Sequence, residues 1–250
     1  MTKNRYSRNI ACIGTEGQRR LSDASVFIIG CGALGGQVAM LLAGAGTGHI
    51  GIADFDTIDI SNLQRQLFFA EAQAGQPKTA VIGERMRQLN STIRVDVYER
   101  MIRPADGPAI LSEYDFIIDA TDNPATKYMT DRICRQIGRP GCIGGVAGWQ
   151  GQVVSVTGRT DDGSLGFADI FPQPDADPSM LPCEVTGVMG AAASVIASVQ
   201  ASEAMKYFIG EGRRAVNGVV SINLLTLEMH HFEFTPSAAG TPSPDPRESQ

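Results

Sequence analysis

Hydrophobic and polar positions follow two rhythms over the first 150 residues. Short apolar runs bounded by turn formers read as buried strands at Ser25–Ile29, His49–Ala53, Ile93–Tyr98, Phe116–Ala120 and Gly141–Val146. Between them, apolar residues recur at helical spacing over 5–22, Leu34–Ala45, Pro77–Asn90, Pro104–Ser112 and Ala125–Ile137, and proline opens the third of these helices. Regular alternation of strand and helix predicts an α/β fold, a doubly wound Rossmann-like sheet.

The rhythm then changes into a mixed C-terminal extension. Gly151–Val156 is strand-like, whereas 158–183 reads as a long irregular crossover loop rich in proline and aspartate. Loops of that length inside a compact domain are functional or disordered. A small-residue helix from about Gly187 to Ile209 precedes two strands, Val219–Leu227 and His230–Phe234. Residues 1–234 are therefore expected to form one domain, and the Pro- and Ser-rich stretch 235–250 a disordered tail.

Composition narrows the function. The 250 residues are 43% hydrophobic and 19% charged, with a formal net charge of -6, so no basic excess is available to neutralise nucleic acid or an anionic membrane. The stretch that comes nearest to a membrane span, 185–202, is uncharged but rich in Gly, Ala, Ser and Thr, which suits a packed helix instead. We expect a cytoplasmic protein. The five cysteines form no Cys-x-x-Cys pair, so reduced thiols are expected, and Cys31, Cys134 and Cys142 read as small packed hydrophobes. His49, His230 and His231 read as strand residues rather than ligands, because no ligand cluster accompanies them in the sequence.

The glycines carry the first chemical signal. Eight of the 28 fall between Gly30 and Gly51, and Gly30-Cys31-Gly32-Ala33-Leu34-Gly35 stands between the first strand and its helix. Missing side chains let backbone turn tightly around a phosphate at a helix N-terminus, and Asp54, ending the next strand, can accept hydrogen bonds from ribose hydroxyls. This much fits NAD and a hydride-transferring oxidoreductase as well as ATP. Arg65 and Lys78 shift the balance, since cations beside the turn can follow charge onto departing pyrophosphate. Asp122, followed by Asn123 at the C-terminal end of the fourth strand, can hold Mg²⁺ against phosphates. Taken singly, Arg65 reads as a surface residue, Lys78 as a first-turn lysine and Asp122 as a turn former; together with the glycine turn they point to nucleotidyl transfer.

The ordered series Arg5-Tyr6-Ser7-Arg8, the glycine turn, Asp54-Phe55-Asp56, Ser61-Asn62-Leu63-Gln64-Arg65-Gln66, Pro77-Lys78 and Asp122-Asn123 resembles the MoeB/ThiF/HesA family, relatives of ubiquitin-activating adenylation domains. The resemblance runs from about Arg5 to Phe234. It implies an ATP- and Mg²⁺-dependent homodimer that adenylates the C-terminal glycine of a small ubiquitin-like sulfur-carrier protein ending in Gly-Gly. A sulfur donor such as a cysteine desulfurase or rhodanese would then form the thiocarboxylate, and relatives that adenylate a peptide or a tRNA base are a further alternative. It also implies that Gly30, Gly32, Ala33 and Gly35 lie against ATP and that Asp54 takes the ribose. Asn62, Arg65 and Lys78 would bind phosphates and Asp122 Mg²⁺, with Asp56, Ser61, Gln66 and Asn123 in the same pocket. Arg8 would reach the partner's ATP site, and Cys183 corresponds to a cysteine that in some members bonds covalently to the carrier. Three positions depart from the pattern: Ala33 replaces glycine, Asn9 glutamine and Lys127 arginine. Both zinc-binding Cys-x-x-Cys pairs are missing, Phe167 to Pro172 standing where the first is expected, so no zinc is predicted.

Overall fold

A computed structural model describes residues 5–159, 161–172 and 187–235. Eight strands form one sheet in the order β3-β2-β1-β4-β5-β6-β7-β8. The first five, β1 (Ser25–Ile29), β2 (His49–Ala53), β3 (Arg94–Tyr98), β4 (Phe116–Asp119) and β5 (Gly141–Ala147), run parallel; β6 (Gln150–Val156), β7 (Gly218–Asn223) and β8 (Glu228–Glu233) continue antiparallel. Strand β1 shows why the apolar runs are continuous. Val26 and Ile28 belong to one core cluster and Phe27 and Ile29 to the other, so both faces are buried.

Helices cover both faces. Helices α1 (Ser7–Asp23), α2 (Gly35–Ala45), α3 (Lys78–Leu89) and α7 (Gly190–Ile209) pack together on one side. On the other lie α4 (Gly107–Leu111), α5 (Pro124–Ile137) and the short α6 (Phe167–Ile170). Strand order reverses between β1 and β4, and their C-terminal ends lead to the glycine turn and to Asp122. A crevice at that switch point is where open α/β sheets bind ligands.

The structure corrects several boundaries. Gly14 interrupts α1 with φ 71, dividing the expected helix into two pieces. The strand expected over Val219–Leu227 stops at Asn223, whose Oδ1 accepts from the backbone N–H of Leu225 at 3.0 Å and closes a turn; Leu227 sits at φ 61. That turn has no glycine or proline to announce it. Gly187 to Met189 precede α7 as an extended stretch clasped to Gly148, whose N–H donates to Gly187 O at 2.6 Å and whose carbonyl accepts from Met189 at 3.0 Å. Within the expected crossover loop, Asp169 accepts from the backbone of Gly166 at 2.8 Å and starts α6. Residue 160 and residues 173–183 of that loop, and the tail from 236, lie outside the described residues. Among the described residues no helix is long and apolar enough to cross a membrane.

Candidate active site

The glycine turn is built by exclusion. A Cβ on Gly35 would lie 1.8 Å from Gly30 O, and Gly30 itself has φ 92, so neither position takes another residue without opening the turn. In front of Gly32 there is room: the first atom a Cβ would meet is Gln66 Nε2, at 3.5 Å. Helix α2 begins with no side-chain cap, which leaves its first N–H groups to a ligand. Ala33 stays out of the positive-φ region, so its methyl group imposes no backbone strain. Cys31 is buried beside the turn, and burial pushes its thiol pKa up, as it does for Cys134 and Cys142.

Asp54 ties the turn to the segment beyond. Its Oδ2 accepts from Cys31 N–H at 2.7 Å and its Oδ1 from Asp56 N–H at 2.8 Å. Burial raises its carboxyl pKa, and the two backbone donors and the Lys78 charge oppose that shift. Lys78 is 5% exposed; its Nζ donates to Asp56 Oδ2 at 2.8 Å while its backbone N–H donates to Asp56 O at 3.0 Å. A buried ammonium is thus held two residues from the carboxylate suited to a ribose.

The loop from Asp56 to Pro77 is folded on itself. Asp59 Oδ1 accepts from Ser61 N–H at 2.7 Å and starts a single 3₁₀ turn, Ile60–Asn62. Asn62 O accepts from the backbone of Arg65 and Gln66, and Arg65 Nη1 donates to Ser61 O at 3.2 Å. Ser61 and Asn62 therefore shape the loop through backbone groups. Gln66 is 4% exposed, and its Oε1 has no partner among the described residues. Helix α7 starts against this loop, where a Cβ on Gly190 would lie 3.2 Å from Arg65 Cα.

Asp122 is exposed on the loop after β4. Asn123, expected in the pocket, caps α5: its Oδ1 accepts from the N–H groups of Ala125 at 2.8 Å and Thr126 at 3.3 Å. Lys127 holds this loop. Its Nζ donates to Thr121 O and to Gly144 O, each at 2.5 Å, and lies 3.7 Å from Asp119 Oδ1. Asp119 is fully buried, accepting from Thr121 N–H, Thr121 Oγ1 and Thr130 Oγ1. Sequence reasoning marked Lys127 only as a departure from a family pattern and gave it no task.

Arg8 does not join the cluster within one chain. Tyr6 packs on Gly46, where a Cβ would lie 2.5 Å from its ring, and Asn9 Nδ2 donates to Ala45 O at 3.2 Å. These contacts fix the start of α1 at the C-terminal end of α2. Eleven residues of helix, about 16 Å, separate that end from the glycine turn. Cys183 lies outside the described residues. His49, expected as an ordinary strand residue, pairs through Nε2 with Asp96 Oδ2 at 2.7 Å at the opposite end of the sheet.

The residues fit a nucleotide: a cradle that a Cβ would fill, an acceptor for hydroxyls and a buried cation. No group of three or more metal-ligating side chains occurs among the described residues. A lone carboxylate at Asp122 nevertheless suits Mg²⁺, which keeps several waters and takes its other ligands from phosphates.

Fold and site together define a doubly wound α/β domain whose crevice at the β1/β4 switch point is suited to a nucleotide. The chain belongs to the ThiF family, which matches residues 6–242. Among its relatives, "Adenylyltransferase and sulfurtransferase MOCS3-1" of Zea mays is 36% identical over 210 residues, covering 83% of this chain and 44% of that protein. "Probable adenylyltransferase/sulfurtransferase MoeZ" of Mycobacterium tuberculosis is 35% identical, covering 92% and 59%. "Sulfur carrier protein adenylyltransferase" of Thermus thermophilus is 34% identical, covering 84% and 79%. The chain spans about half the length of the MOCS3 and MoeZ relatives it matches. A crystal structure of E. coli MccB with MccA-N7isoASN shares the fold at a TM-score of 0.81 and 23% identity, over 95% of this chain and 75% of that one.

Proposed function

We propose that the protein uses ATP to adenylate the C-terminal glycine of a small ubiquitin-like sulfur-carrier protein, preparing it for thiocarboxylate formation. The observation that carries this reading is the chain Cys31–Asp54–Asp56–Lys78, which fixes a buried cation beside a ribose-type acceptor at the glycine turn. Relatives named as adenylyltransferases support it. Hydride transfer expels no pyrophosphate, so it asks less of that cation than adenylation does.

The chemistry follows from charge. The carrier's carboxylate attacks the α-phosphorus, the bond from that phosphorus to the bridging oxygen breaks, and pyrophosphate leaves. No side-chain base is needed, because the nucleophile is already an anion. Lys78 and Arg65 donate to phosphate oxygens as charge moves toward the leaving group. Mg²⁺, held by Asp122, would supply the remaining charge withdrawal when bound. In a homodimer Arg8 would add a third cation from the partner, consistent with its distance from its own site. Cys183 would attack the acyl carbon of the carrier's adenylate, forming a thioester and releasing AMP, before sulfur arrives from a desulfurase or rhodanese. The free thiols at Cys12, Cys31, Cys134 and Cys142 suit a reducing cytoplasm.

ATP–pyrophosphate exchange tests the reading. Exchange should require Mg²⁺ and a carrier ending in Gly-Gly; exchange that survives both Arg65→Ala and Asp122→Ala would overturn it. For Cys183, the Cys183→Ser variant should keep exchange and lose thiocarboxylate formation. If both persist, the covalent role is wrong.

A further inference from the structure

The β5–β6 hairpin carries a cavity of about 310 Å³ to which the residues of the nucleotide crevice assign no role. Strands β5 and β6 form its floor, Phe167 and Phe171 one wall and Lys127 another. Side chains alternate along β5, and a Cβ on Gly144 would strike Gln200 at 2.4 Å on the α7 side. Gly145 therefore faces the cavity. A Cβ there meets nothing closer than Lys127 Cε at 3.9 Å, so the missing side chain keeps the space open.

The aromatic wall is fixed. Phe167 lies 5.2 Å from the rings of both Tyr128 and Phe171, and Tyr128 OH donates to Phe171 O at 3.0 Å. Across the cavity, Lys127 is bonded to the carbonyl of Thr121, the residue before Asp122. One side chain thus separates the apolar space from the phosphate side of the crevice. Strand β5 also outruns β4: the last pair is Asp119 with Ile143, whereas Gly144 to Ala147 continue against β6 alone. That overhang gives an extended chain a short edge to follow toward Asp122, dropping alternate side chains into the cavity.

We propose that this cavity is the subsite for an apolar side chain of the acyl substrate, on a residue close to the carboxylate that is adenylated. Gly145 sets its depth, and Phe167 and Phe171 its apolar character. The inference rests on the adenylation reading, and burying a Leu-sized side chain there should change affinity roughly 10- to 150-fold.

The test uses fluorescein-labelled hexapeptides ending in Gly-Gly, with either leucine or alanine at the third and fourth positions from the C-terminus. Anisotropy is measured on the full chain with Mg²⁺ and a non-hydrolysable ATP analogue. Leucine peptides should bind the unmodified protein at least about 10-fold more tightly than alanine peptides, and Gly145→Leu should reduce that preference below about twofold. Phe167→Ala, which widens the cavity, should shift the preference from leucine to phenylalanine and keeps the test alive if Gly145→Leu misfolds. Equal binding of both peptides, absence of binding, or a leucine preference that survives Gly145→Leu overturns the subsite. So does an unchanged preference with a lower Tm in Gly145→Leu, which would mean the protein's own chain fills the space. Exchange measured with the intact carrier separates the two readings: its absence beside an intact leucine preference refutes adenylation and leaves the subsite standing.

Discussion

Replacing Lys127 with methionine keeps the length and apolar stem of the side chain and removes its charge. The ammonium makes two bonds of 2.5 Å, to Thr121 O and Gly144 O, and stands 3.7 Å from Asp119 Oδ1. Hydrogen bonds from a charged donor contribute about 1.5–3 kcal/mol each. An uncompensated buried charge costs about 3–5 kcal/mol. Asp119 escapes most of that second cost, because Thr121 and Thr130 already satisfy it with three donors. We therefore expect a net loss of about 3–4 kcal/mol, or about 10 °C in Tm at roughly 2–4 °C per kcal/mol. The functional effect is separate. Freeing Thr121 O releases the loop that carries Asp122, so the Mg²⁺ concentration for half-maximal ATP–pyrophosphate exchange should rise about 10-fold, equivalent to ~1.4 kcal/mol. Lys127→Arg should recover most of both losses, since a guanidinium can also bond two carbonyls. Urea unfolding and a Mg²⁺ titration measure the two effects. A destabilisation below about 1 kcal/mol, or a Mg²⁺ requirement that does not move, would refute the role given to Lys127.

Four further outcomes follow. Arg65→Ala should lower kcat for exchange by about 10²–10³-fold while leaving Tm almost unchanged, because its one side-chain bond among the described residues is to Ser61 O; steady-state kinetics and melting curves check this. Gly35→Ala places a methyl group 1.8 Å from Gly30 O, so the variant should show no thermal protection by Mg-ATP. Asp54 has a carboxyl pKa raised by burial, so its ionised form destabilises the fold: the stability it contributes is present below the unfolded pKa near 3.8 and is lost as pH rises through the raised folded value. Mg-ATP affinity should move the other way, falling as pH drops through that folded value, and Asp54→Asn should flatten both profiles in calorimetric titrations. Mixing Arg8→Ala with Asp122→Ala protein should restore exchange in about a quarter of all sites if Arg8 acts across a two-fold interface, and in none if it acts within its own chain.

Much of the fold was legible because buried parallel strands leave continuous apolar runs, and β1, β2 and β4 lie close to where those runs predict them. The glycine turn was equally legible, since Gly35 occupies a place where any side chain collides with backbone and Gly30 one whose positive φ favours glycine. What failed to show was cooperative geometry. Asn223 ends β7 by capping a turn with no glycine or proline in it. Only the family resemblance places Asn123 in the pocket, and the cap its Oδ1 makes on α5 was not read from the sequence. Lys127 gives no local signal at all: its partners are carbonyls 6 and 17 residues away, and only folding brings them to one ammonium.

The anchoring of α1 has a consequence for dosage. Tyr6 and Asn9 pin the start of α1, and with it Arg8, to the far end of α2, about 16 Å of helix from the glycine turn. If Arg8 acts across an interface, as proposed, a lone copy would bind nucleotide and turn it over poorly. Activity per molecule would then climb with protein abundance until pairing saturates, so that expression level alone could throttle the reaction without any effector.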